Sequence, residues 1–408
     1  MPNERSSLLP SSSITAASAT GVKNQRSSRF FVGQCAAAIL ISIGVAIVFI
    51  VIAPQQDGPG SSLLQIPLLG ESRKRLSNKK YSCEKDDMYS KATLKRAYEL
   101  PYAALFQDQR GQKKYEASDV TIVGNEVYSV CDNSWAISRF GKSLLPFNEE
   151  NVQVGDPNRV PGEDSGYEAI FHHEGLFYVV RESVYHGDHS ESDDRLEMGD
   201  YHAIIEELEL SANDYSVVNE CRCEFEFEGD SKGFEGAVGF PDENDVLYVL
   251  GLCEGNYCSE SRKNDVGNGR VVLMKKSEDP ETTQCIWETV RVVSIPSSAA
   301  FLDYSAIDIT QDGRVAIASQ EHSAVWLGQA KGIYDGIIDP IKFDFELESR
   351  VLQFPKDSSC STIYCNIEGI HFMNDDMLMA VSDKMKSKGR QDFRCHDKDQ
   401  SIHAFVIP

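Results

Sequence analysis

Three carboxylates and two hydroxyls recur at one position of five segments that begin alike. The segments are SDVTIVGNEVYSVCD from Ser118, YEAIFHHEGLFYVVRES from Tyr167, FEGAVGFPDENDVLYVLGLCEG from Phe234, YSAIDITQDGRVAIASQEHS from Tyr304 and IEGIHFMNDDMLMAVSDK from Ile367. Aligning them superposes Ser118, Glu168, Glu235, Ser305 and Glu368. Carboxylates held a few ångströms apart raise one another's pKa unless a cation lies between them. An oxygen-only donor set, without His or Cys, points to Ca²⁺, which accepts about six to eight oxygens in loose geometry, whereas Mg²⁺ asks for a tighter octahedron. These five residues are therefore the expected metal ligands. The competing reading has them hydrogen-bonding the backbone of neighbouring elements.

A second set of polar residues ends the following strand of each segment: Asp132, Arg181-Glu182, Glu254, Gln320-Glu321-His322 and Asp383-Lys384. At one opening with a metal, Arg181 and Lys384 would hold an anionic phosphate while an acidic residue among Asp132, Glu182 and Glu254 orients water. That is the chemistry of metal-assisted hydrolysis. The plain alternative is that strand ends are charged because loops are wet. His172-His173 lies between two strands, and His186 and His189 lie in HGDHSESDD, which reads as a surface metal cluster or a solvated insertion. MKSKGR from Met385 faces either solvent or an anionic ligand. The chain has no Gly-x-Ser-x-Gly elbow, no Gly-rich phosphate loop and no dinucleotide fingerprint.

The elements that must position these residues are short strands, each segment being a strand, a Gly/Asn/Asp turn and a second strand. The intervals between aligned positions are 50, 67, 70 and 63 residues. Units of that size with about four strands each predict an all-β fold, a β-propeller of five blades, because one four-stranded blade cannot bury its faces until neighbours stack on it. Outer strands are expected at YHAIIEEL, GRVVLMKK, ETVRVVSI, AVWLGQ and FELESRVLQF, and the last unit ends in SIHAFVIP. Residues around Tyr98 to Phe106 are expected to supply its missing strand and close the ring. A β-sandwich is the alternative architecture, and a degenerate sixth unit has room between Glu168 and Glu235. In a propeller the first strand of each blade lines the axis, so the aligned residues converge there.

The order Ser, Glu, Glu, Ser, Glu at these starts, with SDVTIVGNEVYSV and IEGIHF, resembles the soluble calcium-activated nucleotidase (apyrase) family over about three-fifths of the chain, Ser118 to Phe372. The resemblance implies a five-bladed propeller with a central Ca²⁺ on the five aligned residues, delivered as a type II anchored protein of the secretory pathway. The chain departs from that family in lacking an Asp-Leu-Asp segment between Tyr81 and Ala117 and in having Cys131-Asp132-Asn133 where an Asp-Asp-Arg run belongs. The same phrases also resemble phytase-like esterase and SdiA-regulated propellers.

Around this domain the chain divides into a polar tail (1–29), an uncharged span (30–53), a stalk (54–80) and the propeller (81–408). Phe30 to Ala53 is 24 residues without a formal charge, long enough for a transmembrane helix. Arg5, Lys23, Arg26 and Arg29 precede it, which puts the N-terminus in the cytoplasm as a single-pass type II protein. A cleaved signal peptide is the other reading. Glu4, Leu8 and Leu9 match the acidic dileucine signal of clathrin adaptors. Endosome, lysosome, vacuole, Golgi and cell surface all remain open as the destination. Ten of the 11 cysteines follow the span, the count of an oxidising lumen, and Cys253/Cys258 and Cys360/Cys365 are spaced to close small loops. Cys221-Arg-Cys223 is a poor zinc interval. With 63 acidic against 40 basic residues and a net charge of -23, a nucleic-acid partner is excluded. The expected function is a calcium-dependent phosphohydrolase acting on nucleoside diphosphates or another phosphate ester. The alternative is a non-catalytic propeller that binds a protein or glycan, its metal structural.

Overall fold

A computed structural model describes residues 92–185, 201–229, 232–254, 258, 266–278, 285–386 and 393–408, which fall in one compact unit, Lys74–Pro408. The expected tail, transmembrane span, stalk and dileucine signal, together with Cys83, His186 and His189, lie outside the described residues. No described helix is long and apolar enough to cross a membrane.

Among the described residues the fold is all β apart from two short 3₁₀ helices, Tyr102–Leu105 and Phe393–Asp397. Each aligned segment opens an antiparallel run of strands. The first is Ala117–Val123, Glu126–Cys131, Ser134–Gly141 and Val152–Val154. The second, Tyr167–His173, Leu176–Tyr185, Tyr201–Leu210 and Tyr215–Phe227, and the third, Phe234–Pro241, Leu247–Cys253, Arg270–Glu278 and Cys285–Ser294, join edge to edge as one eight-stranded sheet. Their junction is a brief parallel pairing, Ile286 with Arg222 and Trp287 with Cys223, fastened by the Cys221–Cys285 disulfide. The fourth run is Ala306–Ile309, Arg314–Ser319 and Ala324–Lys331, flanked by Asp344–Phe345 and Arg350–Gln353. The last is Ile367–Asn374, Met377–Ser382 and Ser401–Val406, and its outer edge is paired by the N-terminal strand Lys95–Pro101.

The five first strands touch one another in cyclic order, the last against the first, so the runs stand around an axis as a β-propeller. Both faces of each run are covered by its neighbours, which is why strands such as Leu247–Cys253 are apolar throughout and wholly buried rather than alternating. Ile170 belongs to the same apolar cluster as Tyr128 and Val130 of the preceding run, while Ala169 and Phe171, one residue to either side, belong to that of Ala237 and Leu247 of the following run. The first strands approach closely enough to require small residues. A Cβ at Gly369 would lie 2.6 Å from Asp119 Cα, and one at Gly236 would lie 2.9 Å from the Ile307 nitrogen.

Several expectations change. The closing strand is Lys95–Pro101, and the chain turns into a 3₁₀ helix at Tyr102. FELESRVLQF is two pieces, Asp344–Phe345 and Arg350–Gln353, separated where Leu347 is 84% exposed. The described residues between Glu168 and Glu235 all join one sheet, through the unforeseen 13-residue strand Tyr215–Phe227. Its inward alternation of Cys221, Cys223 and Phe227 is why the Cys-Arg-Cys interval exists: one cysteine staples the next unit and the other packs as a buried free thiol. Cys253–Cys258 forms as expected. The Cys360–Cys365 loop does not, because Cys365, two residues before the first strand of its run, bonds Cys395 in the 3₁₀ helix Phe393–Asp397. Cys360 is disulfide-bonded elsewhere.

Candidate metal centre at one mouth of the channel

The aligned residues sit on a repeated irregularity. Ladder register shifts between Ala117 and Asp119, Tyr167 and Ala169, Phe234 and Gly236, and Ile367 and Gly369, leaving Ser118, Glu168, Glu235 and Glu368 as the extra residue of a β-bulge. In the fourth run Ser305 donates its N–H to Ala318 O while Ala306 pairs the same residue. A bulge releases one side chain from strict alternation and re-aims it. In four of the five runs the residue that follows is small, Ala169, Gly236, Ala306 and Gly369, where the strands approach closely; in the first it is Asp119.

The second set of polar residues is placed by an equally regular bond. The N–H groups of Asp132, Glu182, Glu254 and Asp383 donate to the carbonyls of Glu116, Gly166, Gly233 and Asn366, each two residues before a bulge. Second-strand ends and first-strand starts therefore share one mouth. In the fourth run the partner is a side chain, with Asp303 accepting from the N–H groups of Gln320 and Glu321. Gly166, at φ +63°, links two acids at once, because its N–H donates to Asp132 O while its carbonyl accepts from Glu182. A side chain there would strain the left-handed backbone.

The outcome is a dense group of carboxylates. Oxygens of Asp132, Glu168 and Glu182 lie within 4.8 Å of one another, a spacing compatible with a shared calcium ion, whose ligands lie about 2.4 Å from it. Burial, then the charges of Glu235, Asp132, Glu182 and Glu368, hold the Glu168 carboxyl well above its usual range. Burial and Asp383 lead the same effect at Glu368. Burial and Glu254 push Glu235 up to about 8. Burial again leads at Asp383, pushed up to about 7, and at Asp132, pushed up to about 6 with help from Glu116 and Asp164. Glu168, Glu235 and Glu368 are thus electrostatically coupled to one another. Ser118 and Ser305 are buried at the matching positions, donating to Glu116 O at 3.4 Å and Ile367 O at 2.8 Å.

The predicted phosphate-holding residues divide. Arg181 is not at the mouth. It faces the opposite side of its strand from Glu182, where its guanidinium donates to Glu206 Oε1 at 3.1 Å and Ser165 O at 3.1 Å and lies 4.9 Å from the Trp135 ring centre. Lys384 is at the mouth but paired with Glu116. Glu254 is paired with Lys232 at 3.0 Å. Lys386, which sequence reasoning left in a loop, places its ammonium 3.6 Å from Glu368 Oε1 and within the electrostatic reach of Glu235, Asp383 and Glu254. Glu116, two residues before the first bulge, was missed as well. The signal that could have found it is the shared offset of Glu116, Gly166, Gly233 and Asn366 from the aligned positions.

No protein-family model and no curated protein sequence matches the chain, so the apyrase resemblance has no counterpart there. Solved structures similar to it include the PQQ-bound aldose sugar dehydrogenase of Streptomyces coelicolor, at TM-score 0.34 and 11% identity over 76% of this chain and 98% of that one. Another is a GH43 β-xylosidase/α-arabinofuranosidase from a compost metagenome, at TM-score 0.38 and 11% identity over 71% and 89%. A third is the virginiamycin B lyase of Staphylococcus aureus, at TM-score 0.34 and 9% identity over 76% and 99%. The arrangement of sheets around the axis, rather than these distant likenesses, carries the fold.

Proposed function

We propose that the chain is a cation-dependent phosphohydrolase on a five-bladed propeller, with Ca²⁺ on the axis and a nucleoside diphosphate or another phosphate ester as substrate. The observation that carries this reading is the cluster of Asp132, Glu168 and Glu182, whose oxygens lie within 4.8 Å of one another and which Glu235 and Glu368 crowd electrostatically, an oxygen-only donor set suited to a cation. Ser118 and Ser305 complete the set by position. A bound cation would polarise a phosphoryl oxygen. The chain's own part is to present the anion to Lys386 and Lys384, exclude bulk water from the mouth, and accept a proton from water at Glu182, Asp132 or Glu254. Arg181 has no place in this scheme. The five blades rest on five first strands in cyclic contact, the eight-stranded sheet counting as two.

The surrounding chain fits a type II protein anchored through residues 30–53, sorted by a clathrin adaptor through Glu4, Leu8 and Leu9, with the propeller in an endosomal, lysosomal, vacuolar, Golgi or surface lumen. The disulfides Cys221–Cys285, Cys253–Cys258 and Cys365–Cys395 favour such a compartment.

The test is calcium binding by calorimetry together with phosphate release from nucleoside diphosphates, triphosphates and monoesters, with Ca²⁺ and with chelator. Calcium-dependent release is expected, and absence of calcium uptake by the wild-type protein ends the reading. A metal that only fastens the blades is the second reading. It is favoured by one observation, that Lys384, Lys232 and Lys386 all face carboxylates already. Calcium uptake that raises the melting temperature without any phosphate release selects it.

A further inference from the structure

The fourth run carries an insertion between its strands Ala324–Lys331 and Arg350–Gln353. It begins with a hairpin, Ile333–Tyr334 paired with Ile337–Ile338, and continues through a turn from Asp339 to Lys342. Tyr334 is 66% exposed, Ile337 44%, Ile341 88% and Leu347 84%; among the described residues no large apolar side chain is more exposed than Ile341, Leu347 and Tyr334.

The insertion holds these side chains in a fixed frame. Asp335 at φ +51° and Gly336 at φ +78° make the two-residue turn whose twist suits a hairpin. Ile333 and Ile338, paired across it, are buried and join Phe343 and Phe345 in one apolar cluster, so strand alternation sends the next pair, Tyr334 and Ile337, to solvent. The Asp339 N–H donates to Gly332 O, and the Asp339 carboxylate accepts the Ile341 N–H at 3.2 Å, which sets the turn beside the hairpin. The wet face of a hairpin is ordinarily polar, and exposed apolar side chains rimmed by polar ones mark a binding surface.

The rim here is acidic. Asp335 follows Tyr334, Glu346 and Glu348 flank Leu347, and Glu243 lies within electrostatic reach of Lys342. Lys342 is already held by Asp339 at 2.6 Å, and Lys331 stands opposite Asp344 in the ladder. Asp335, Glu346 and Glu348 have no ion-pair partner among the described residues.

We infer that this insertion docks a protein segment presenting apolar side chains among lysines or arginines, as a basic amphipathic helix does. Tyr334, Ile337 and Ile341 are the anchors, and Asp335, Glu346 and Glu348 face the cations of the partner. A second copy of the chain would set acidic rim against acidic rim, and an anionic lipid surface would be repelled in the same way. The Gly336 N–H donates to Gln311 O, and both residues line the channel cavity at the end of the first strand opposite Ser305. A docked segment therefore stands at that end and leaves the acidic mouth open, so the inference is independent of the metal reading.

The experiment is calorimetric titration of the full chain with an amphipathic helical peptide of leucine and lysine, against a leucine–glutamate peptide and a serine–lysine peptide of the same length. Saturable binding of the leucine–lysine peptide is expected, with both controls and the double variant Tyr334→Ser, Ile341→Ser weaker by about tenfold or more. Both side chains are mostly outside the packed core, so the variant is expected to keep the wild-type melting temperature and the full negative charge. Absence of binding overturns the inference, as does wild-type affinity in the double variant. Equal affinity for the serine–lysine peptide overturns it in favour of bare charge. Self-association in sedimentation, or uptake onto phosphatidylcholine vesicles, that the double variant loses while peptide binding is absent overturns it in favour of a second copy or a lipid surface.

Discussion

Arg181 and Glu182 are neighbours in sequence and opposites in space, because successive strand residues point to opposite faces. Glu182 joins the acidic mouth, while Arg181 neutralises Glu206 inside the sheet, where the carboxylate side chain is 3% exposed. Arg181→Met therefore leaves a buried charge without its partner, and we expect a loss of about 3 kcal/mol in denaturant unfolding. Unchanged stability with lost phosphate release would return Arg181 to the site. Lys386 makes the reverse case. Its ammonium stands among Glu368, Glu235, Asp383 and Glu254, where a cation belongs. Lys386→Met should tighten calcium binding about tenfold, measured by calorimetry. An unchanged Kd means that the lysine does not compete for the cage.

At the level of elements, bulge and glycine act together. The bulge turns a polar side chain to the axis, and the small residue after it lets the next first strand approach. Gly369→Ala places a methyl carbon 2.6 Å from the Asp119 backbone, where no flexible side chain can yield. The expected cost is about 2 kcal/mol, read as a lower midpoint in denaturant. Alanine tolerated at no cost would mean that the first strands are less tightly opposed. Such geometry was half legible in the sequence. Glu-Ala, Glu-Gly, Ser-Ala and Glu-Gly recur at four starts, and Ser-Asp breaks the pattern at the first because Asp119 spends its side chain on the Val120 and Ile170 N–H groups.

For the whole molecule the crowded carboxylates predict a direction of pH dependence in chelator. A carboxyl pushed up on folding stabilises the protein below its unfolded value, and that stability is lost as pH rises through the folded value. Glu235 at about 8 and Asp383 at about 7 set the upper part of that window. His403 works the other way, since burial pushes its imidazole down from 6.5 to about 3 and stability falls as pH drops between those values. Between pH 6.5 and 8 the carboxylates act without His403. The metal-free melting temperature should fall there by about 3 °C or more, and saturating Ca²⁺ should remove the fall. A flat or rising profile in chelator would mean that the carboxylates are not crowded.

Repetition of the Ser/Glu starts and the strand-turn-strand texture were determined by the sequence alone, because a blade must repeat its pattern wherever its neighbours repeat. The Cys221–Cys285 and Cys365–Cys395 pairings, the face taken by Arg181 and the entry of Lys386 into the acidic mouth were decided only by tertiary structure. Each depends on residues from separate stretches of chain meeting in space. Closure sets those meetings by the order of strands in space, and spacing along the chain carries no record of it.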